Sequence, residues 1–243
     1  MFKFRDLTIL EISEDKLLVI ACDSAGGIGN KEMDMVQVPP ETVGLYTSQG
    51  PLMEILAVGA KPLCVIDNLG VEMDDTGQRL LKGVRQALGP LGEDILITGS
   101  TEENIPVVQT FIGITILGIM DKSRFLMKRP KAGDILLVVG IPLVGQEIVN
   151  YIGETFNSRI VLNLLEKPYI SDILPVGSKG ILHETGVLAS SHGLDFQLEE
   201  NIPIDLKKSA VPSSCGIIAM DKDYYEELRQ EISLPLIPLG TLL

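Results

Sequence analysis

The chain has 243 residues and a formal net charge of −13, with 45% hydrophobic and 22% charged residues. This length allows one large domain or two small ones, each with a buried core. The chain is strongly acidic and contains no tryptophan. Proteins that bind nucleic acids usually carry a basic face and aromatic side chains that stack on bases, so a nucleic-acid partner is disfavoured.

The same sequence limits where the protein works. No apolar run reaches the ~18 residues that a membrane-spanning helix needs, and the first residues lack the pattern of a signal peptide. Cys22, Cys64 and Cys215 are widely spaced and form no CxxC pair. That usage is typical of reduced thiols and not of a disulfide framework or a zinc site. We therefore predict a cytoplasmic protein with no membrane partner.

Runs of Val, Ile and Leu alternate with amphipathic stretches, which predicts an α/β fold. The predicted strands are Leu7–Ile12, Leu17–Cys22, Pro62–Asp67, Ile95–Thr98, Val107–Met120, Ile135–Gly140 and Gly216–Met220. The predicted helices begin near Pro40 and near Asp74, and further helices cover Gly145–Phe156, Ser158–Leu165, Gly180–Ser191 and Lys222–Glu231. The helix after Asp74 has apolar residues at helical spacing and ends at Gly89. The stretch 128–134 is rich in charge and contains Pro and Gly, so we predict domains 1–127 and 128–243.

Asp23 follows the second predicted strand and precedes three glycines, among them Gly26 and Gly27. The glycine spacing is not that of a dinucleotide-binding loop, and no GK[ST] motif occurs, which excludes the usual nucleotide loops. A carboxylate at the end of a strand beside flexible backbone suits Mg²⁺. The alternative is that Asp23 caps a turn and the glycines supply positive φ angles.

Two further stretches contain carboxylates that are candidates for binding a metal ion. Glu54 lies among apolar residues of a segment that otherwise has the pattern of a buried one. A buried carboxylate is costly unless it is paired or binds a metal, although a narrow polar stripe would also explain it. Glu102 and Glu103 follow a strand beside hydroxyl residues, which fits oxygen ligands for Mg²⁺ and phosphates or, alternatively, a polar hairpin loop.

Taken in order, these stretches resemble one ATP-binding superfamily. The segments are the strand ending at Asp23, Glu54-Ile-Leu-Ala-Val-Gly-Ala-Lys-Pro62, Gly99-Ser-Thr-Glu102 and Lys131-Ala-Gly-Asp-Ile-Leu-Leu-Val-Val-Gly140. They are similar to the strand-Asp, SDLAAMGAxP, GGDT and xPGDxIxVSG stretches of thiamine-monophosphate kinases. The superfamily also includes aminoimidazole-ribonucleotide synthetase, selenophosphate synthetase and the hydrogenase-maturation dehydratase.

The resemblance implies two α/β domains. The N-terminal domain has a mixed sheet and pairs with a second copy to build a barrel in a homodimer, and the C-terminal domain has a sheet packed with helices. It also implies that ATP and Mg²⁺ are held by acidic residues, with Asp23 and Glu102 catalytic. The implied metal ligands are Asp23, Glu54, Glu102 and Glu103. The implied nucleotide-binding residues are Gly26, Gly27, Lys61, Asn68, Gly99, Ser100, Thr101 and Lys179. The acceptor would bind the second domain around residues 178–180 and 209–214.

The departures from the family pattern bear on the substrate. The GDDAA element of the kinases has no counterpart before Asp23, Thr101 stands at the Asp of GGDT, and Lys179 replaces an acid. These departures favour an α-ribazole kinase of cobalamin salvage over a thiamine-monophosphate kinase. We therefore predict a Mg²⁺-dependent phosphotransferase acting on a small hydroxyl metabolite. The alternatives are an ATP-dependent synthetase or dehydratase, or a non-catalytic nucleotide-binding dimer.

Overall fold

The computed structural model describes residues 1–125 and 129–243. The chain forms two compact units, Met1–Lys122 and Ser123–Leu243. The predicted domain boundary, between residues 127 and 128, lies outside the described residues and stays a prediction.

The N-terminal unit is built on a mixed six-stranded sheet with the strand order β1-β2-β3-β8-β6-β7. Its strands are β1 (Phe2–Phe4), β2 (Leu7–Glu11), β3 (Lys16–Gly26), β6 (Lys61–Leu69), β7 (Leu96–Ser100) and β8 (Phe111–Asp121), and the short strands β4 (Ile28–Gly29) and β5 (Val36–Gln37) pair separately. Only β6 and β7 run parallel within the six-stranded sheet, and its other pairs are antiparallel.

One helix packs on a face of this sheet, and a second helix packs on the first. Helix α1 (Pro40–Ala57) begins at the predicted proline and is buried along most of its length, whereas α2 (Gln78–Leu88) is amphipathic and packs on α1. Two glycines allow the close approach, because a Cβ added at Gly44 would lie 2.0 Å from the carbonyl oxygen of Leu80, and one at Gly83 would lie 2.0 Å from that of Glu41. The helix predicted to begin near Asp74 begins at Gln78 instead, because the backbone of Asp74 is extended, with φ −105° and ψ 117°.

The C-terminal unit contains an antiparallel five-stranded sheet with the order β10-β12-β9-β13-β11. Its strands are β9 (Ile135–Gly140), β10 (Ile170–Pro175), β11 (Phe196–Leu198), β12 (Cys215–Met220) and β13 (Leu236–Leu242), and its helices are α3 (Gln146–Val149), α4 (Ser158–Leu165), α5 (Ile181–Ser191) and α6 (Tyr225–Glu231). Helix α5 packs on one apolar face, where residues such as Val138, Leu188 and Ile217 are fully buried. The two-domain α/β fold class is therefore confirmed.

Several predicted elements differ from the structure. The helix predicted over Gly145–Phe156 is wrong beyond one turn, since only Gln146–Val149 is helical and Gly153 adopts a φ of 84° that ends regular helix. The strand predicted from Val107 begins at Phe111, because the backbone carbonyl of Val108 bonds to Met33 instead of to a sheet partner. Within the described residues, no helix is long and apolar enough to cross a membrane.

Candidate functional site

Two aspartates lie in one row across the N-terminal sheet. Asp23 on β3 is the register partner of Ile114 on β8, Ile114 is the partner of Asp67 on β6, and Asp67 is the partner of Gly99 on β7. Directly opposed residues in a sheet point to the same face. The two aspartates therefore share a face and are separated by one strand, which places their α-carbons roughly 10 Å apart.

The shared face is the one on which helix α1 packs. Ile114 is 1% exposed and Asp67 is 3% exposed, while Asp23 is partly buried. Burial raises the pKa of the Asp67 carboxyl, with smaller opposing effects from a backbone hydrogen bond and from the charge of Arg85. Burial likewise raises the pKa of Asp23, against a hydrogen bond that Oδ1 accepts from the backbone of Ser24. Within the described residues, neither carboxylate forms an ion pair.

Asp23 lies inside its strand and not at the end as the sequence predicted. Strand β3 continues to Gly26, and Gly27 then turns the chain with a φ of 71° while its backbone N–H donates to the carbonyl of Thr110. Asp34 anchors this turn, because its buried carboxylate accepts hydrogen bonds from the backbone and the hydroxyl of Thr110 at 2.8 and 2.7 Å. Gly27 therefore shapes the turn as the alternative expected of the glycines, whereas Gly26 is the last residue of the strand and Asp23 lies within it.

Glu102 and Glu103 lie in the loop after β7, at the same end of the sheet. Oε1 of Glu102 accepts hydrogen bonds from the backbone of Asn104 and Ile105 at 2.8 and 3.1 Å. Oε1 of Glu103 accepts from the backbone of Met73 at 2.9 Å and from the Thr101 hydroxyl at 2.7 Å. The Thr101 and Met73 bonds lower the pKa of Glu103. One oxygen of each carboxylate thus shapes the loop, and the other makes no hydrogen bond to a described residue.

The structure does not bring every predicted site residue to this row. Lys61 pairs with Ile119, five residues along β8 from Ile114, so it lies roughly 17 Å away at the other end of the sheet. Glu54 lies in the last turn of α1, beside Ile55, which packs near Gly118 at that same far end. Asn68 and Ser100 lie one position beyond the row, so their side chains point to the opposite face.

The described residues contain no group of three or more His, Cys, Asp or Glu side chains placed to hold a metal ion. Mg²⁺ in nucleotide sites, however, is usually bound by one or two carboxylates together with phosphates and water. Two carboxylates on one sheet face that form no ion pair with a described residue fit that requirement, because a bound cation offsets the cost of their burial. The four predicted metal ligands, Asp23, Glu54, Glu102 and Glu103, remain predictions.

Sequence reasoning missed Asp67 as a site residue, although it noted that a strand ends there. Its signal is the same as that of Asp23, a carboxylate late in an apolar strand. It also missed Lys31 and Glu72, whose side chains form a part-buried ion pair at 2.8 Å. Their pairing depends on the chain path and leaves no local sequence pattern.

In the C-terminal unit, the predicted acceptor region is a set of loops in mutual contact. Lys179 is exposed in the loop before α5 and is followed by Gly180, which has a φ of 82°. A Cβ at Gly180 would lie 2.8 Å from the carbonyl oxygen of Lys208, so the two loops are tightly apposed. Lys208 in turn forms an ion pair with Glu147 at 2.7 Å. The Ser214 hydroxyl fixes a third loop by accepting a hydrogen bond from the backbone of Leu143 at 2.8 Å.

Residues 4–120, nearly the whole N-terminal unit, match a family model described as AIR synthase related protein, N-terminal domain. A comparison of the sequence with curated proteins finds no significant match.

Solved structures share the whole fold. The thiamine-monophosphate kinase of Stenotrophomonas maltophilia is 14% identical, with a TM-score of 0.66 over 98% of this chain and 88% of that chain. AaThiL complexed with AMPPCP and TMP is 15% identical, with a TM-score of 0.61 over 98% of this chain and 84% of that chain. T. maritima PurL complexed with ATP is 12% identical, with a TM-score of 0.64 over 97% of this chain and 42% of that chain.

Proposed function

Since the N-terminal unit of the chain belongs to the family of AIR synthase related proteins, we propose that the protein is an ATP-dependent phosphotransferase that uses Mg²⁺ and acts on a small hydroxyl metabolite. The observation that carries this proposal is the row of Asp23 and Asp67 on one sheet face, bordered by the loops after β3, β6 and β7. The neighbours solved with AMPPCP, TMP and ATP support a nucleotide in this fold.

Asp23 and Asp67 would hold Mg²⁺, and the free oxygens of Glu102 and Glu103 are the further candidates at the same end. When bound, Mg²⁺ would neutralise negative charge on the β and γ phosphates. Phosphoryl transfer asks the protein mainly for positioning, so the glycine turn at Gly27 and the loop after Gly99 would cradle the phosphates. Asp23 and Glu102 are the residues proposed to act directly at the reacting groups.

In the reaction, the acceptor hydroxyl would attack the γ-phosphorus and release its proton to solvent, the bond between the γ-phosphorus and the β–γ bridging oxygen would break, and ADP would leave. The acceptor would bind the loops of the C-terminal unit that carry Lys179 and Ser214. α-Ribazole and thiamine monophosphate are the acceptors that the sequence resemblance suggests. Lys179 cannot ligate a metal, because a protonated amine has no free lone pair. Its proposed role is contact with a phosphate or an acceptor oxygen.

The experiment that tests the activity is a calorimetric titration of the protein with ATP, with and without Mg²⁺, followed by an ADP-release assay with each acceptor. We expect Mg²⁺-dependent ATP binding and ADP release that depends on one acceptor. A relative that has kept the fold but lost catalysis, as the missing GDDAA element would allow, should show no metal-dependent binding. A synthetase or dehydratase would release ADP only with an amide or carbonyl substrate.

The second face of the N-terminal sheet supports a homodimer. Apolar side chains such as Ile20, Ile66 and Leu117 lie on this face and are only partly buried. Extended apolar surface of this kind marks an interaction site, and a second copy of the same sheet would cover it. Sedimentation at micromolar concentration should give a dimer. Leu117→Arg should give a folded monomer, whereas a monomeric wild type would contradict the proposal.

A further inference from the structure

The three loops that border the Asp23–Asp67 row differ sharply in charge. They are residues 27–36 after β3, 70–77 after β6 and 101–105 after β7. Across these fully described loops the chain has one basic residue, Lys31, and seven acidic ones, Glu32, Asp34, Glu72, Asp74, Asp75, Glu102 and Glu103. A nucleotide with several negative charges would meet mostly negative protein charge here, so the placement of Lys31 matters for binding.

Lys31 is held in a defined position. Its Nζ donates to both carboxylate oxygens of Glu72, at 3.0 and 2.8 Å, and its side chain is 16% exposed. Oε1 of Glu72 also accepts a hydrogen bond from the Thr76 hydroxyl at 2.5 Å. Burial alone would raise the pKa of Glu72, but the bonds from Lys31 and Thr76 outweigh it and lower the pKa. The Lys31 ammonium and the Glu72 carboxylate are therefore held against each other, and the Thr76 hydroxyl holds the carboxylate as well.

The ion pair joins the loops to one another. It connects the loop after β3 to the loop after β6, and Glu103 connects the loop after β6 to the loop after β7 through the backbone of Met73. The backbone of Glu102 adds a second link, to the carbonyl of Val71 at 3.0 Å. Lys31 thus lies within one network that spans all three loops.

One donor of Lys31 is left over. An ammonium group has three N–H donors, and the described residues supply acceptors for two of them, both from Glu72. The nearby alternative, Arg79, is engaged by Glu41 at 2.9 Å and by Asp75 at 3.6 Å. Lys61, one of the two lysines that the sequence suggested, lies at the other end of the sheet.

We propose that Lys31 donates its remaining N–H to the phosphate chain of the bound nucleotide and that Glu72 is the positioning residue that holds it there. The inference rests on the proposed function and adds the cationic phosphate contact that the acidic loops otherwise lack. A charge-assisted hydrogen bond of this kind strengthens binding of the phosphates and leaves the nucleoside unaffected.

The test compares the affinities of wild type, Lys31→Met and Lys82→Met for ATP and for adenosine, by calorimetry with Mg²⁺ present. Lys82 is an exposed lysine on α2, outside the three loops, so its variant controls for the loss of one positive charge. We expect Lys31→Met to weaken ATP binding roughly tenfold or more and to leave adenosine binding within about twofold. Lys82→Met should match wild type with both ligands.

A double-mutant cycle tests the role of Glu72. Glu72→Gln should change ATP affinity in the wild-type background and leave it unchanged in the Lys31→Met background, because Glu72 acts through Lys31. Additive effects would contradict the positioning role. Equal ATP affinity of Lys31→Met and wild type would overturn the lysine contact while the proposed function stands. Equal weakening of ATP and adenosine would make the pair structural and also overturn it. Absence of Mg-ATP binding by wild type would overturn both proposals.

Discussion

Gly99 allows β7 to approach Asp67, and replacing it with alanine tests whether that approach matters. A Cβ at Gly99 would lie 1.8 Å from the backbone oxygen of Asp67 and 2.5 Å from its carboxylate carbon. Real Cβ atoms essentially never come within 3.0 Å of another heavy atom in this way, so β7 or the Asp67 side chain must move by about 1 Å or more. Overpacking of this size costs roughly 1–3 kcal/mol. We expect about 2 kcal/mol or more here, because backbone is among the atoms in the way.

The assay is thermal unfolding with and without Mg-ATP. A loss of about 2 kcal/mol should lower Tm by roughly 5 °C or more in a domain of this size, and the displaced Asp67 should reduce the upward shift that Mg-ATP gives. Gly113→Ala, on β8 of the same sheet, is the matched control, because its Cβ would lie 3.7 Å from the nearest heavy atom, the Cβ of Asn68 on the neighbouring strand β6. That variant should be neutral or slightly stabilised. Equal melting of the two variants would refute the packing argument.

Two further predictions concern titratable groups. Because burial raises the pKa of Asp67 above its unfolded value, the folded state binds more protons, so wild type should lose stability as pH rises from about 4 through the raised pKa. Asp67→Asn should lack that loss when the free energy of unfolding is measured with urea between pH 4 and 8. If the free energies of unfolding of the two proteins changed with pH in parallel, the burial argument would be contradicted. Burial raises the pKa of the Cys215 thiol to about 12, whereas Cys22 is exposed. A maleimide at pH 8 should therefore label Cys22 in the native protein and Cys215 only after unfolding, as peptide mapping would show; rapid native labelling of Cys215 would be the contrary result.

Periodicity and turn residues predicted much of the N-terminal unit. Helix α1 begins at Pro40, and α2 has the predicted spacing, with Leu80, Val84 and Leu88 buried. The predicted superfamily is confirmed as well. The sequence did not predict β13, because this strand contains Pro238 and Gly240, two residue types that weaken a strand pattern.

The candidate site shows where sequence reasoning ends. Asp23 could be selected from its own strand, but Asp67 becomes significant only when the register places both beside Ile114. Lys61 was predicted to bind the nucleotide because the chain offers few basic residues for phosphate, yet strand direction puts it at the far end of the sheet. Side-chain pairs such as Lys31 and Glu72, which are 41 residues apart, depend on the folded path.

The role proposed for Asp23 is to hold a nucleotide-bound metal ion. Thermal melts of wild type and Asp23→Asn, each with and without Mg-ATP, test it most directly. Burial raises the pKa of the Asp23 carboxyl, so the variant without ligand should be at least as stable as wild type. The increase in Tm that Mg-ATP gives should be largely lost in the variant. An equal Mg-ATP shift in both proteins, with the variant less stable by roughly 1 kcal/mol as for a lost turn cap, would contradict the claim.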